Sequence, residues 1–76
     1  MKRNEWILTT KIYELRKEYK VSQTELAKIV GVRRETINCL EKGKYNPSLK
    51  LAMGIAHYFG RNIEDIFCIT SKDDEK

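Results

Sequence analysis

The strongest constraint on the fold is a pair of helix boundary signals in the first half of the chain. Ser22 and Glu25 have the spacing of a capping box, in which the serine hydroxyl accepts from the Glu25 amide and the glutamate carboxylate reaches back. Gly31 stands where a left-handed residue would end the same helix. These signals predict a short helix between them. Its inward-facing apolar side chains are Leu26, Ala27 and Val30.

A second helical pattern begins almost immediately after this helix and covers residues 34–42. Only Gly31, Val32 and Arg33 separate the two patterns. Two short helices joined by a tight turn that contains glycine form a helix-turn-helix unit. The sequence therefore predicts such a unit in this part of the chain.

The predicted helix over 34–42 has one polar and one apolar side. At about 100° per residue the polar side forms an arc of about 140°, and its members are Arg34, Glu35, Asn38, Cys39 and Lys42. Ile37 and Leu40 lie on the remaining side, where they can pack against a core. An amphipathic helix with a merely solvated polar side is the alternative interpretation. We favour a functional surface because the helix is short and follows a capped helix and a tight turn.

Three more helical patterns and two β-prone segments complete the chain. The helical patterns cover residues 9–20, 49–59 and 62–67. The segments 6–9 and 67–70 are rich in β-branched and aromatic residues, and we expect them to pair as a small antiparallel ribbon. The fold class is therefore expected to be all-α, a bundle of five helices with this ribbon formed by the two termini.

The length of 76 residues allows one small domain with a thin core. We expect the domain to cover residues 1–71 and the polar remainder, 72–76, to form a flexible tail. No apolar run approaches the roughly 18 residues of a membrane span. The apolar stretch at 6–8 is also too short for a signal peptide. The protein is therefore expected in the cytoplasm, without a membrane partner.

Positive charge is concentrated in the middle of the chain. Lysine and arginine number 15 against 11 acidic residues, which gives a formal net charge of +4. Within 33–50 the basic residues are Arg33, Arg34, Lys42, Lys44 and Lys50, and only Glu35 and Glu41 oppose them. Localised positive charge is typical of proteins that bind a polyanion. A solvated surface has a similar balance in many soluble domains, and that alternative stays open at this point.

Few residues offer catalytic or metal-binding chemistry. The chain has one histidine, His57, and two cysteines, Cys39 and Cys68, without a CxxC pattern. These residues are too few for a structural metal site or a disulfide framework, and no serine or cysteine has an evident base partner. We therefore expect no enzyme activity, no metal, no cofactor and no small-molecule ligand.

Several short motifs occur in the order and spacing of a known family. They are SQTELA at 22–27, VGV at 30–32, TI at 36–37, EKGK at 41–44 and NPSL at 46–49. Over residues 12–67 the chain resembles the Cro/phage-repressor (Xre-type) helix-turn-helix family, most of all its small one-domain dimeric repressors such as the cytolysin repressor. The resemblance implies a lambda-repressor-like bundle and a transcriptional regulator. Such a regulator is expected to repress transcription by binding a palindromic double-stranded DNA operator as a homodimer.

The resemblance assigns base reading to the helix over 34–42. This helix would lie in the major groove, with base contacts from Arg34, Glu35, Asn38 and Cys39. Arg34 suits guanine, Asn38 suits adenine, and Glu35 suits the amino group of cytosine. Cys39 suits a thymine methyl group, and its interpretation as a mere spacer stays equally open.

The resemblance also implies contacts with the DNA backbone, from Ser22, Gln23, Arg33, Lys42, Lys44 and Asn46. The Gln23 side chain and the amides at the start of its helix would meet a phosphate. Arg16 and Glu41 match a pair that bridges the first and third helices in these repressors. Two positions depart from the family pattern. Arg33 replaces a capping serine or threonine, and Glu35 replaces a neutral polar residue that DNA does not repel.

Surplus apolar residues predict a dimer interface, formed by Leu51, Tyr58, Phe67 and Ile69. In the helix over 49–59, Leu51 and Tyr58 lie off the apolar stripe that starts at Leu49. Closure of the ends of the bundle by the surplus residues is the alternative interpretation. The alternative function is an antitoxin or a protein-docking module of the same fold.

Overall fold

The computed structural model describes residues 6–71; residues 1–5 and 72–76, the latter including the expected flexible tail, lie outside this range. Over the described residues, five helices lie between two short strands. In chain order the elements are β1 (Trp6–Thr10), α1 (Ile12–Tyr19), α2 (Gln23–Val30), α3 (Arg34–Glu41), α4 (Leu49–Phe59), α5 (Ile63–Ile66) and β2 (Phe67–Ser71). This architecture confirms the predicted all-α bundle with a terminal ribbon.

Local hydrogen bonds determine where α2 begins and ends. The Ser22 hydroxyl accepts from the Glu25 backbone N–H at 3.0 Å, and the Ser22 backbone N–H donates to the Glu25 carboxylate at 2.8 Å. The backbone N–H and the hydroxyl of Ser22, in that order, hold the pKa of Glu25 below its ordinary value. At the other end Gly31 has a φ of 79°, a left-handed conformation that glycine adopts without steric cost. The predicted capping box and helix terminator are both present.

β1 and β2 pair antiparallel, with Leu8 opposite Ile69 at the centre of the ribbon. Because β1 continues to Thr10, α1 begins at Ile12, later than the predicted residue 9. In the same way α5 ends at Ile66, one residue before the predicted end, because the chain then enters β2. Pairing between the two ends of the chain therefore shortens the helices that adjoin the ribbon.

The ribbon is attached to the C-terminal end of α3. The Thr10 hydroxyl donates to the Leu40 carbonyl oxygen at 3.3 Å. The backbone of Leu8 passes so close to Gly43 that a Cβ atom there would come within 2.5 Å of the Leu8 carbonyl oxygen. Gly43 also has a φ of 70°, so both the space and the backbone conformation require glycine.

The core contains buried apolar side chains from every helix: Ile12, Leu15, Leu26, Ile37, Leu40, Leu51, Ile55, Phe59 and Ile66. The apolar pattern of α4 predicts that Leu49 faces this core and that Leu51 lies off it. The structure shows the reverse, with Leu51 8% and Leu49 70% exposed. The buried side of α4 is centred on Ala52, Ile55 and Phe59. On a helical wheel Leu51 lies about 70° from that centre and Leu49 about 90°, so the prediction is wrong for both residues.

Candidate nucleic-acid interface

The turn between α2 and α3 is short and hydrogen-bonded. The backbone N–H groups of Gly31 and Val32 both donate to the Ala27 carbonyl oxygen, at 2.8 and 2.9 Å. Arg33 is extended, with φ −82° and ψ 155°, and α3 begins at Arg34 without a side-chain cap. The arginine at position 33 therefore removes the cap but leaves the start of the helix in place.

One side of α3 packs in the core and the other side is open. Ile37 and Leu40 have no exposed surface. The residues predicted to read bases lie away from this buried side, and they are Arg34, Glu35, Asn38 and Cys39. Arg34 and Glu35 are exposed, whereas the other two are half-buried. We call these four residues the open face of α3.

A buried ion pair joins α1 to the C-terminal end of α3. Arg16 Nε lies 2.5 Å from Glu41 Oε2, and Arg16 Nη2 donates to Glu41 Oε1 at 3.3 Å. Arg16 Nη1 donates to the Val21 carbonyl oxygen at 3.1 Å, and the guanidinium carbon lies 5.5 Å from the centre of the Tyr13 ring. The two paired side chains are only 10% and 9% exposed. Both charges are therefore largely removed from water and depend on each other.

Gln23 connects this ion pair to the open face of α3. Its amide nitrogen donates to Glu41 Oε1 at 3.0 Å and to Asn38 Oδ1 at 3.3 Å, and its amide oxygen accepts from Arg34 Nη1 at 3.1 Å. The sequence analysis missed these contacts. The partners are 11, 15 and 18 positions away from Gln23, and no local pattern indicates them.

The residues predicted to contact the DNA backbone surround the open face. Gln23 is half-buried, and the exposed members are Ser22, Arg33, Lys42, Lys44 and Asn46. Within residues 6–71, Arg33, Lys42 and Lys44 make no ion pair. These cations are therefore available to an external anion.

The residues predicted for a dimer interface have different surroundings. Ile69 is 58% exposed on β2, whereas Leu51 is buried in the core of the protomer. Tyr58 and Phe67 are half-buried and pack against the core, and the Tyr58 ring meets the Phe59 ring edge-on at 5.0 Å. The apolar surface left for a partner is thus smaller than the sequence suggests.

The other candidates for chemistry stand apart from one another. Cys39 is half-buried and Cys68 is exposed, and both are free thiols. In the described part of the chain, no group of three or more His, Cys, Asp or Glu side chains is placed to hold a metal ion. Between residues 6 and 71, no helix has the length and apolar character needed to cross a membrane.

Comparison with known proteins identifies the family. A family model of helix-turn-helix proteins, HTH_3, matches residues 12–66. The chain belongs to the HTH_3 helix-turn-helix family. The membership of the Xre-type helix-turn-helix family that the sequence motifs predict is therefore confirmed.

Relatives of this HTH_3 protein cover nearly its whole length. An uncharacterized HTH-type transcriptional regulator of Archaeoglobus fulgidus is 58% identical over 66 residues, which are 87% of this chain and 93% of that protein. Another from Methanocaldococcus jannaschii is 50% identical over 68 residues, 90% of this chain and 100% of that protein. The crystal structure of the transcriptional regulator VanUg has the same fold, with a TM-score of 0.76 at 23% identity over 95% of this chain and 96% of that chain. The relatives are named as regulators and not as enzymes, in agreement with the expectation from the sequence.

Proposed function

We propose that this helix-turn-helix protein is a cytoplasmic, sequence-specific regulator that binds double-stranded DNA and represses transcription from a palindromic operator. The observation that carries the proposal is the open face of α3, which presents polar side chains from a helix whose other side packs in the core. The major groove of DNA is wide enough to admit one such helix. The names of the relatives, HTH-type transcriptional regulators, support the same role.

The side chains of the open face suit different bases. Arg34 has the geometry to donate in parallel to O6 and N7 of guanine, and Asn38 has the paired donor and acceptor that adenine requires. Glu35 accepts from the amino group of cytosine, and elsewhere the negative DNA repels it. The half-buried Cys39 offers a small apolar group to a thymine methyl.

Exposed cations adjoin both ends of α3 and suit the phosphates on either side of the groove. Arg33 precedes the helix, and Lys42 and Lys44 follow it. Asn46 and the hydroxyl of Ser22 add neutral hydrogen bonds. Each neutralised phosphate contributes about −0.9 to the slope of log K against log salt, so three cations from each of two protomers predict a slope of about −5.

A homodimer completes the proposal because it doubles the contacts and places two copies of α3 about 34 Å apart, one turn of DNA. Two large apolar side chains on the ribbon support it, since Trp6 and Ile69 are each 58% exposed. Tyr58 and Phe67 add partly exposed surface, while the buried Leu51 supports the interface from within the protomer.

Selection of bound sites from random duplex DNA tests the function directly. We expect enrichment of a palindrome whose half-sites lie about one turn apart, with an affinity that falls steeply as salt rises. Absence of enrichment, or an affinity independent of salt, would contradict DNA reading. Sedimentation of the free protein at micromolar concentration tests the dimer. A species of monomer mass that binds the palindrome without cooperativity would contradict the dimer alone.

A further inference from the structure

The side chain of Gln23 has no N–H group left for a phosphate. A glutamine amide has two N–H donors and one carbonyl acceptor. One donor is used by Glu41 Oε1 at 3.0 Å, the other by Asn38 Oδ1 at 3.3 Å, and the carbonyl oxygen accepts from Arg34 at 3.1 Å. Contact between this amide and a DNA phosphate would therefore require one of these hydrogen bonds to break.

The charges on either side of Gln23 determine which way its amide points. The carboxylate of Glu41 faces the amide nitrogen, and the guanidinium of Arg34 faces the amide oxygen. A reversed amide would place its oxygen against the carboxylate and its N–H groups against the guanidinium, so both contacts become repulsive. Glu41 is itself held by the buried Arg16. The orientation of Gln23 is thus set by a charged pair that DNA does not reach.

The partners of Gln23 keep enough capacity to read bases. Arg34 has five N–H donors and uses one on Gln23, which leaves donors for O6 and N7 of guanine. Asn38 Oδ1 has a second lone pair and its amide nitrogen keeps its donors, which is the pair of functions that adenine requires. The contacts with Gln23 therefore restrict both side chains without occupying them.

We propose that Gln23 is a positioning residue that links the buried Arg16–Glu41 pair to Arg34 and Asn38 and so determines how sharply these two side chains discriminate bases. This role replaces the phosphate contact expected of the Gln23 side chain, and phosphate binding at this end of α2 is left to backbone amides. The inference rests on the proposed function, because it assumes that the open face of α3 reads DNA.

The Gln23→Leu variant tests the inference, because leucine approximates the bulk of glutamine and makes none of the three hydrogen bonds. We expect about a tenfold loss of discrimination at the base pairs read by Arg34 and Asn38, and little change at the other positions of the site. Thr24→Val is the matched control, since Thr24 is the next, exposed residue of α2 and its loss should leave base preference unchanged. Thermal melts of both variants verify that they are folded.

A double-mutant cycle separates positioning from direct contact. In an Arg34→Ala/Asn38→Ala background, Gln23→Leu should have no further effect on affinity, because the side chains that Gln23 positions are gone. A phosphate contact would instead weaken binding by the same factor in either background and for all sequences, and this result would overturn the inference.

Two further outcomes distinguish this inference from the proposed function. A wild-type protein that prefers some duplexes, together with a Gln23→Leu variant that discriminates bases equally well, refutes only the positioning role of Gln23. A wild-type protein without preference for any duplex refutes the proposed function, and the positioning role is then refuted with it.

Discussion

Replacement of Arg16 by alanine should destabilise the fold far more than an ordinary surface substitution. Arg16 makes two contacts with the Glu41 carboxylate and one with the Val21 carbonyl oxygen, and its side chain is only 10% exposed. After Arg16→Ala the Glu41 carboxylate stays buried with the neutral Gln23 amide as its remaining hydrogen-bond partner. A buried charge that loses its partner costs about 3–5 kcal/mol.

This loss is a large part of the stability of a small domain, which is about 5–15 kcal/mol. At about 4–8 °C per kcal/mol for a chain of this size, Tm should fall by at least about 12 °C. Thermal unfolding followed by circular dichroism measures the change. The variant Arg16→Lys should recover little of it, because a lysine keeps the charge but lacks the planar fork that contacts both carboxylate oxygens.

The same chain supplies a matched control for this experiment. Arg61 also pairs with a glutamate, Glu18, but at 3.6 Å and with side chains that are 39% and 62% exposed. Arg61→Ala should therefore cost only about 0–1 kcal/mol. Removal of both buried charges, in Arg16→Met with Glu41→Leu, should restore much of the stability lost by Arg16→Ala. If Arg16→Ala and Arg61→Ala melt at the same temperature, burial of the first pair does not have the energetic weight argued here.

Three further predictions follow from single sites. Gly43→Ala should destabilise by about 2 kcal/mol or more in urea unfolding, because the new Cβ meets the backbone of β1; Gly60→Ala, with a φ of 66° and no atom within 4 Å of its Cβ, should cost less, and equal losses would contradict the close approach. The pKa of Glu25 is lowered in the folded protein from 4.5, so its contribution to stability is present above the unfolded value and disappears as pH falls through the folded one. The stability difference between the wild type and Glu25→Gln should therefore be present at neutral pH and vanish in acid, whereas a difference constant with pH would oppose this assignment. Arg34→Ala should relax preference at one base pair of each half-site by about 1–3 kcal/mol, while Lys44→Ala should weaken all duplexes nearly equally; identical profiles for the two variants would show that the division between base and backbone contacts is wrong.

Local signals in the sequence were sufficient to predict most of the fold. The capping box at Ser22 and Glu25 and the glycine at position 31 bound α2 as predicted, because these interactions are between residues at most four positions apart. The β-branched ends also pair as expected, although the ribbon takes residues that helical periodicity assigns to α1. The polar side of α3 was likewise predictable, since 3.6 residues per turn separates Arg34 from Ile37 in any α-helix.

The tertiary structure decided what lies beneath that polar side. Which of Leu49 and Leu51 is buried depends on where the other helices meet α4, and the spacing of apolar residues within α4 leaves both possible. The contacts of Gln23 depend on the relative placement of α2 and α3 and on side-chain rotamers that are set together. Sequence motifs indicated that Arg16 and Glu41 form a pair, but only the folded chain brings Gln23 between that pair and the open face of α3. Hydrogen bonds between residues far apart in sequence leave no periodic pattern, because their geometry exists only after the helices have packed.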